Sequence, residues 1–155
     1  MRKELLVPAV LALCLLPLLI YYIYPDKADK INISCNGTLV TKNELMSSRV
    51  RVSILLTGAR GRVNFDGVIS NKKNERITIR RASSFTLHHY GSIYAIDKSI
   101  VSELPGNMAS TDLLTGMFPE FMLFNDKDYR LNMYKVGSNG YLFMSDKFVT
   151  LYCIS

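Results

Sequence analysis

The sequence predicts a mainly β protein preceded by one apolar helix, and three observations predict it. An uncharged run covers residues 5–24. Alternation of apolar and polar residues with period two recurs through most of the chain beyond residue 30. One stretch, residues 103–121, breaks that alternation with helix signals. The expected architecture is a transmembrane helix, then an antiparallel domain of seven to eight strands closed into a barrel or packed as a sandwich, with one short helix.

The apolar run is 20 residues long. At about 1.5 Å of rise per residue it spans roughly 30 Å, the thickness of a bilayer's hydrocarbon core. Arg2 and Lys3 precede it, whereas the flank after it, Asp26-Lys27-Ala28-Asp29-Lys30, is neutral. The positive-inside rule then keeps residues 1–4 in the cytoplasm and exports the rest. Tyr21, Tyr22 and Tyr24 stand where an interfacial aromatic belt belongs. A cleaved signal would want a shorter core and small residues at its end, and residues 20–25 offer none. A lipid on Cys14 would want a small residue where Leu13 stands and a polar stretch where ten apolar residues occur. The segment therefore reads as a signal anchor: 1–4 cytoplasmic, 5–24 membrane, 25–30 linker, 31–155 exported β-domain.

Of 19 Lys and Arg, Arg2 and Lys3 stay inside, and of 13 Asp and Glu, Glu4 does, so the exported part carries a formal +5. Its charges are interspersed, which describes a solvated surface, one attracted at most to an anionic membrane or ligand, and not a nucleic-acid binder. Two exported cysteines remain, Cys35 and Cys153. An even pair in an oxidising compartment points to a disulfide stapling the first strand to the last.

Taken in order, Ile31, Ile33, Cys35 and Leu39 share one face of a first strand. In "RVRVSILL", Val50, Val52, Ile54 and Leu56 face inward while Arg49, Arg51 and Ser53 face out. "GRVNFDGVIS" contributes Val63 and Phe65, with Gly67 expected at a bulge. "NKKN" is a turn, and the next strand sets Ile77 and Ile79 on one face, with "GSIYAIDKSIV" after it. Pro105-Gly106-Asn107 opens the irregular stretch; Ser110 or Thr111 caps a short helix over 111–117, and Pro119 bounds it. "DYRLNMYKVG" and "YLFMS" form a hairpin about Ser-Asn-Gly, and "KFVTLYCIS" supplies the last strand.

Catalytic signals are missing from the sequence. His88 and His89 are the only histidines, and strand neighbours point to opposite faces, so they do not chelate one metal. No Cys-x-x-Cys, Gly-x-Ser-x-Gly or Gly-rich phosphate loop occurs. The reading is no enzyme, no cofactor and no metal. Arg81 shares the face of Ile77 and Ile79, where it would meet a ligand carboxylate inside a barrel, unless it lies past the core or in a bulge. The strands flanking the helical stretch, 93–101 and 121–124, are candidate partner edges, with Ile96 and Met122 the contact residues if they are exposed there.

The anchor, Cys35 in "SCNGTLV", "GRVNFDG", the Arg80-Arg81 pair, Asp112 ahead of "FPEF", "NGYLF" and the terminal Cys153 together resemble the FidL-like inner-membrane proteins of enteric bacteria. The resemblance runs over nearly the whole chain through diffuse motifs, and carries over no catalytic residue. It implies an inner-membrane, single-pass protein with its C-terminal domain in the periplasm. By their arrangement beside membrane-spanning regulators, such proteins are similar to ToxS- and VtrC-type partners. That implies a lipocalin-like barrel, a partner in the periplasmic domain of a single-span winged-helix transcription regulator, and a bile-salt-like, apolar anionic ligand. The other classes are a structural envelope protein with no ligand and, behind it, a periplasmic enzyme.

Overall fold

Period-two alternation makes a two-faced wall, and here the wall closes on itself. In the computed structural model, placements are described for Leu16 and for residues 31–42, 45–73, 75–90, 93–145 and 151–155. The expected anchor (5–24), its cytoplasmic flank (1–4) and the linker (25–30) lie outside the described residues, Leu16 apart. Among the described residues no helix is long and apolar enough to cross a membrane. The described strands are β1 (Asn32–Lys42), β2 (Met46–Thr57), β3 (Arg60–Asn71), β4 (Arg76–Tyr90), β5 (Ile93–Glu103), β6 (Tyr129–Val136), β7 (Gly140–Met144) and β8 (Leu151–Ile154). They pair antiparallel in chain order, and β8 returns to β1, so the sheet is a closed barrel, not a sandwich.

Strand β2 shows the wall most plainly. Val50, Val52, Ile54 and Leu56 are buried, and Arg49 and Arg51 are exposed, as the alternation requires. Ile33 and Cys35 on β1, and Val63, Phe65 and Ile69 on β3, complete that side of the core. Closure rests on a short contact, with Asn36 opposite Ile154 and Gly37 opposite Cys153. A Cβ on Gly37 would lie 2.9 Å from Leu151 Cδ1 and against the Tyr152 carbonyl, so glycine lets β1 and β8 approach. Cys35 and Cys153 are disulfide-bonded there, with Cα atoms 5.5 Å apart and both side chains inside.

The bulge is not where the glycine suggested. Gly67 keeps regular register, opposite Val50 and Ile79; a Cβ there would meet Val50 Cα at 2.7 Å and the Arg49 carbonyl, so its role is close backbone approach. The irregularity falls between β4 and β5, where Ser84 faces Ile100 but Thr86 faces Asp97. The extra residue is on β5, at Lys98, whose φ of 51° is left-handed. That extra residue flips the alternation of β5, so Ser99 joins Ile96 on the inside.

The segment between β5 and β6 folds over one end of the barrel. Helix α1 (Thr111–Leu114) is capped by Ser110, whose hydroxyl accepts from Leu113 N at 3.4 Å. It is shorter than the expected 111–117, because Thr115 is extended and Gly116 takes φ +81°. A 3-10 turn (Glu120–Met122) comes next, so 121–124 is not a strand. Leu114, Met117, Phe118, Phe121, Met122 and Leu123 are all buried, which makes the segment a plug set into the core. Phe118 stacks on Phe65 at 6.0 Å, and Phe121 meets Phe85 edge-on at 5.4 Å.

Candidate functional site

Beneath the plug lies a cavity of about 100 Å³. Its walls include Val52, Ile54 and Val63 of the long strands, Ile96 and Leu131 across the β5–β6 seam, and Phe121 and Met122 from above. Its few polar groups are already partnered: Tyr129 donates to Ser145 Oγ at 2.6 Å, and Thr41 and Ser48 hydroxyls share a 2.6 Å hydrogen bond. An apolar lining of this kind offers water few partners. Ligand pockets usually begin near 300 Å³, and dry voids of roughly 150 Å³ hold benzene-sized molecules. A steroid the size of a bile salt therefore does not fit while the plug is seated.

A second, wider cleft of about 430 Å³ opens on the outer side of the plug, with Glu120, Asp128 and Arg130 on its walls. Tyr129 and Ser145 line both spaces, so their hydrogen bond sits on the partition between them.

Polar side chains hold the plug down. On its incoming side, Arg80 Nη1 donates to the Pro105 carbonyl at 2.9 Å and Arg80 Nε to Asp66 at 2.8 Å. Backbone N–H groups of Met108 and Ala109 donate to the Thr78 carbonyl. On its outgoing side, buried Ser83 donates to the Phe121 carbonyl at 2.7 Å and Ser99 to that of Phe124 at 3.0 Å. Ser99 Oγ also accepts from Lys127 N. These serines are inside because they bind the plug, which satisfies each buried hydroxyl.

Arg81 belongs to this fastening and not to the cavity. Its guanidinium is buried and donates to Glu103 Oε1 at 2.6 Å, to the Ala109 carbonyl at 3.0 Å and to Thr111 Oγ1 at 3.0 Å. Arg81 does lie on the face of Ile79, as read from the alternation, but its carboxylate is the chain's own. The Lys98 bulge brings Glu103 round to face it, and no glycine marks that bulge in the sequence.

Ile96 and Met122 are corrections. Ile96 is 1% exposed and Met122 7%, and both line the cavity, so neither presents an edge to a partner. A sheet closed in this way also leaves no edge of the expected kind along β5, whose second half the plug covers through Ser99 and the Asn125 side chain, which accepts from Val101 N at 2.7 Å. His88 and His89 are exposed at the end of β4; His88 Nε2 lies 3.8 Å from Asp97, and His89 stacks on Tyr94. Among the described residues no group of three His, Cys, Asp or Glu side chains is placed to hold a metal. Comparisons with protein families, with curated proteins and with solved structures gave no match.

Proposed function

We propose that this chain is a membrane-anchored accessory protein of the periplasm, whose lipocalin-like barrel binds a small apolar ligand and modulates a single-span winged-helix transcription regulator. The observation that carries the reading is the apolar cavity under a plug held by hydrogen bonds. A void of this lining favours hydrocarbon over water, and the plug is the element through which occupancy reaches the outer surface. The ligand is a small hydrocarbon or the end of an acyl chain. A bile-salt-like molecule requires the plug to lift, and its anionic group does not find Arg81, which Glu103 already neutralises. The regulator is inferred from the resemblance of the anchor, "GRVNFDG", "NGYLF" and the cysteine pair. Ligand would change regulation only by binding the barrel's states, and so the regulator's, with different affinity.

Two measurements test this. The full chain, extracted from inner membranes, should co-purify with a protein that sequencing identifies as single-span with a cytoplasmic winged-helix domain. Benzene should raise the unfolding temperature of the wild-type chain through linkage, and Val63→Phe, which projects a ring into the cavity, should remove that rise. If no such regulator co-purifies, and target genes of neighbouring regulators are unchanged by deletion, the co-sensor reading fails and a structural envelope role replaces it.

A further inference from the structure

In an up-and-down antiparallel barrel the chain meets the same end at every second connection. Here one end collects the start of β1, the β2–β3, β4–β5 and β6–β7 connections and the end of β8. The plug, and all the other connections, lie at the opposite end. The two ends differ in charge. Residues 57–60, 88–93, 135–140 and 153–155, which form and flank the connections of the first end, contain no Asp or Glu, and the segment that leads into β1 balances Asp26 and Asp29 with Lys27 and Lys30. The connections of the plug end contain Glu44, Glu75, Asp112, Glu120, Asp126, Asp128 and Asp146.

At the carboxylate-poor end, Arg60 and Lys135 are exposed and make no ion pair among the described residues. The strand carboxylate nearest in register, Asp97, is opposite Thr86 and faces His88. Exposed apolar side chains at this end are Tyr90 (68%), Ile93 (44%), Val136 (43%) and Ile154 (56%); the plug end has its own, Leu45 and Met108, but in connections that also carry Glu44 and Asp112. Each of the first four flanks a connection or the end of β8, where a soluble barrel would place polar residues. Aromatic and aliphatic side chains beside cations that make no ion pair among the described residues suit the headgroup layer of an anionic bilayer.

The length of the linker restricts which surface is near. Residues 25–30 connect the apolar run to β1, and six residues reach at most about 20 Å. We infer that the barrel rests on the outer face of the membrane by this end, with Tyr90, Ile93, Val136 and Ile154 at headgroup depth and Arg60 and Lys135 on lipid phosphates. The plug and its cleft then point away from the bilayer. This inference rests on the anchored reading of residues 5–24.

The sequence contains no tryptophan, so a single introduced one reports alone. The full chain carrying Tyr90→Trp or, at the opposite end, Lys73→Trp is reconstituted into vesicles of phosphatidylglycerol and phosphatidylcholine with or without headgroup-proximal brominated chains. Flotation first establishes that the chain stays with the lipid. Tyr90→Trp should emit at shorter wavelength than Lys73→Trp and be quenched at least twofold more by brominated lipid. Adding Arg60→Glu and Lys135→Glu should reduce that quenching, and phosphatidylcholine alone should do the same. Both positions are exposed, so folding is preserved, and an unchanged Cys35–Cys153 disulfide on non-reducing gels checks it. Equal quenching at both positions in floated vesicles overturns the inference while leaving the anchor intact. Failure to float overturns it at its base, through the anchor.

Discussion

Replacing Glu103 by Gln should harm this protein more than replacing Arg81 by Met, although Arg81 is the buried residue. Glu103 is the one ion-pair partner that Arg81 has among the described residues, at 2.6 Å. Gln keeps the shape and removes the charge, leaving a guanidinium that is 1% exposed without its counter-charge. Removing one partner of a fully buried pair costs about 3–5 kcal/mol. The Glu103 side chain is 60% exposed, so solvent already screens part of the interaction, and the expected loss falls to about 1–2 kcal/mol. Arg81→Met removes the charge that needed neutralising and keeps most of the stem's volume. It also removes Nε, a buried donor with no partner. The Ala109 carbonyl keeps the amide of Asn107 at 3.0 Å, and Thr111 is only half-buried and reaches water. The expected cost of Arg81→Met is under about 1 kcal/mol. Urea unfolding of the oxidised protein, monitored by far-UV circular dichroism and compared at a common slope, measures both. The double variant should match Arg81→Met alone. If Arg81→Met proved the more damaging of the two, the guanidinium would be a net stabiliser and the buried charge would not be the cause of the Glu103→Gln loss.

Cys35→Ser and Cys153→Ser should behave alike, each losing about 5 kcal/mol by loop entropy for a sequence separation of 118, and only the wild-type chain should change mobility on reducing against non-reducing gels. Ile96→Asp and Met122→Asp should abolish the cooperative unfolding transition, since each buries a carboxylate against an apolar lining, whereas Ile154→Asp on the outer surface should leave it in place. Gly67→Ala should lower the urea midpoint by an amount corresponding to about 1–3 kcal/mol, because backbone and not a flexible side chain meets the new Cβ; an unchanged midpoint would mean that β2 shifts freely.

What the sequence makes legible is local. The alternation of Val50 to Leu56 needs only two-residue periodicity to sort inside from outside, and Ser110 announces its helix through a cap made within three residues. The cysteine pairing is legible from number once an oxidising compartment is expected. Closure is not, because the β1–β8 contact depends on Gly37 meeting residues at the far end of the chain. The positions of Ile96 and Met122 escape sequence reading for a related reason. Their nearness to an irregular segment suggests exposure, and that segment turns back into the barrel instead of lying outside it. The partner of Arg81 is hidden by the Lys98 bulge, where a non-glycine residue takes a left-handed conformation without any turn signature. The cavity is beyond sequence reading, since it is a difference between the volumes of side chains from several strands and the plug.

The short seam between β1 and β8 also sets the order of events when the protein is made. β1 is made early and waits for a partner, β8, that is made more than a hundred residues later. Until β8 arrives, β1 offers an open row of amides and carbonyls next to a reduced Cys35, on a chain whose inner face is Val, Ile and Phe. A contact at such sequence distance is slow to form, and the wait exposes the half-built sheet to aggregation and its thiol to wrong partners. Folding in the cell should therefore depend on holding chaperones and on a thiol oxidant that acts once β8 has been made. A chain stalled before residue 151 should accumulate as an open, protease-sensitive sheet.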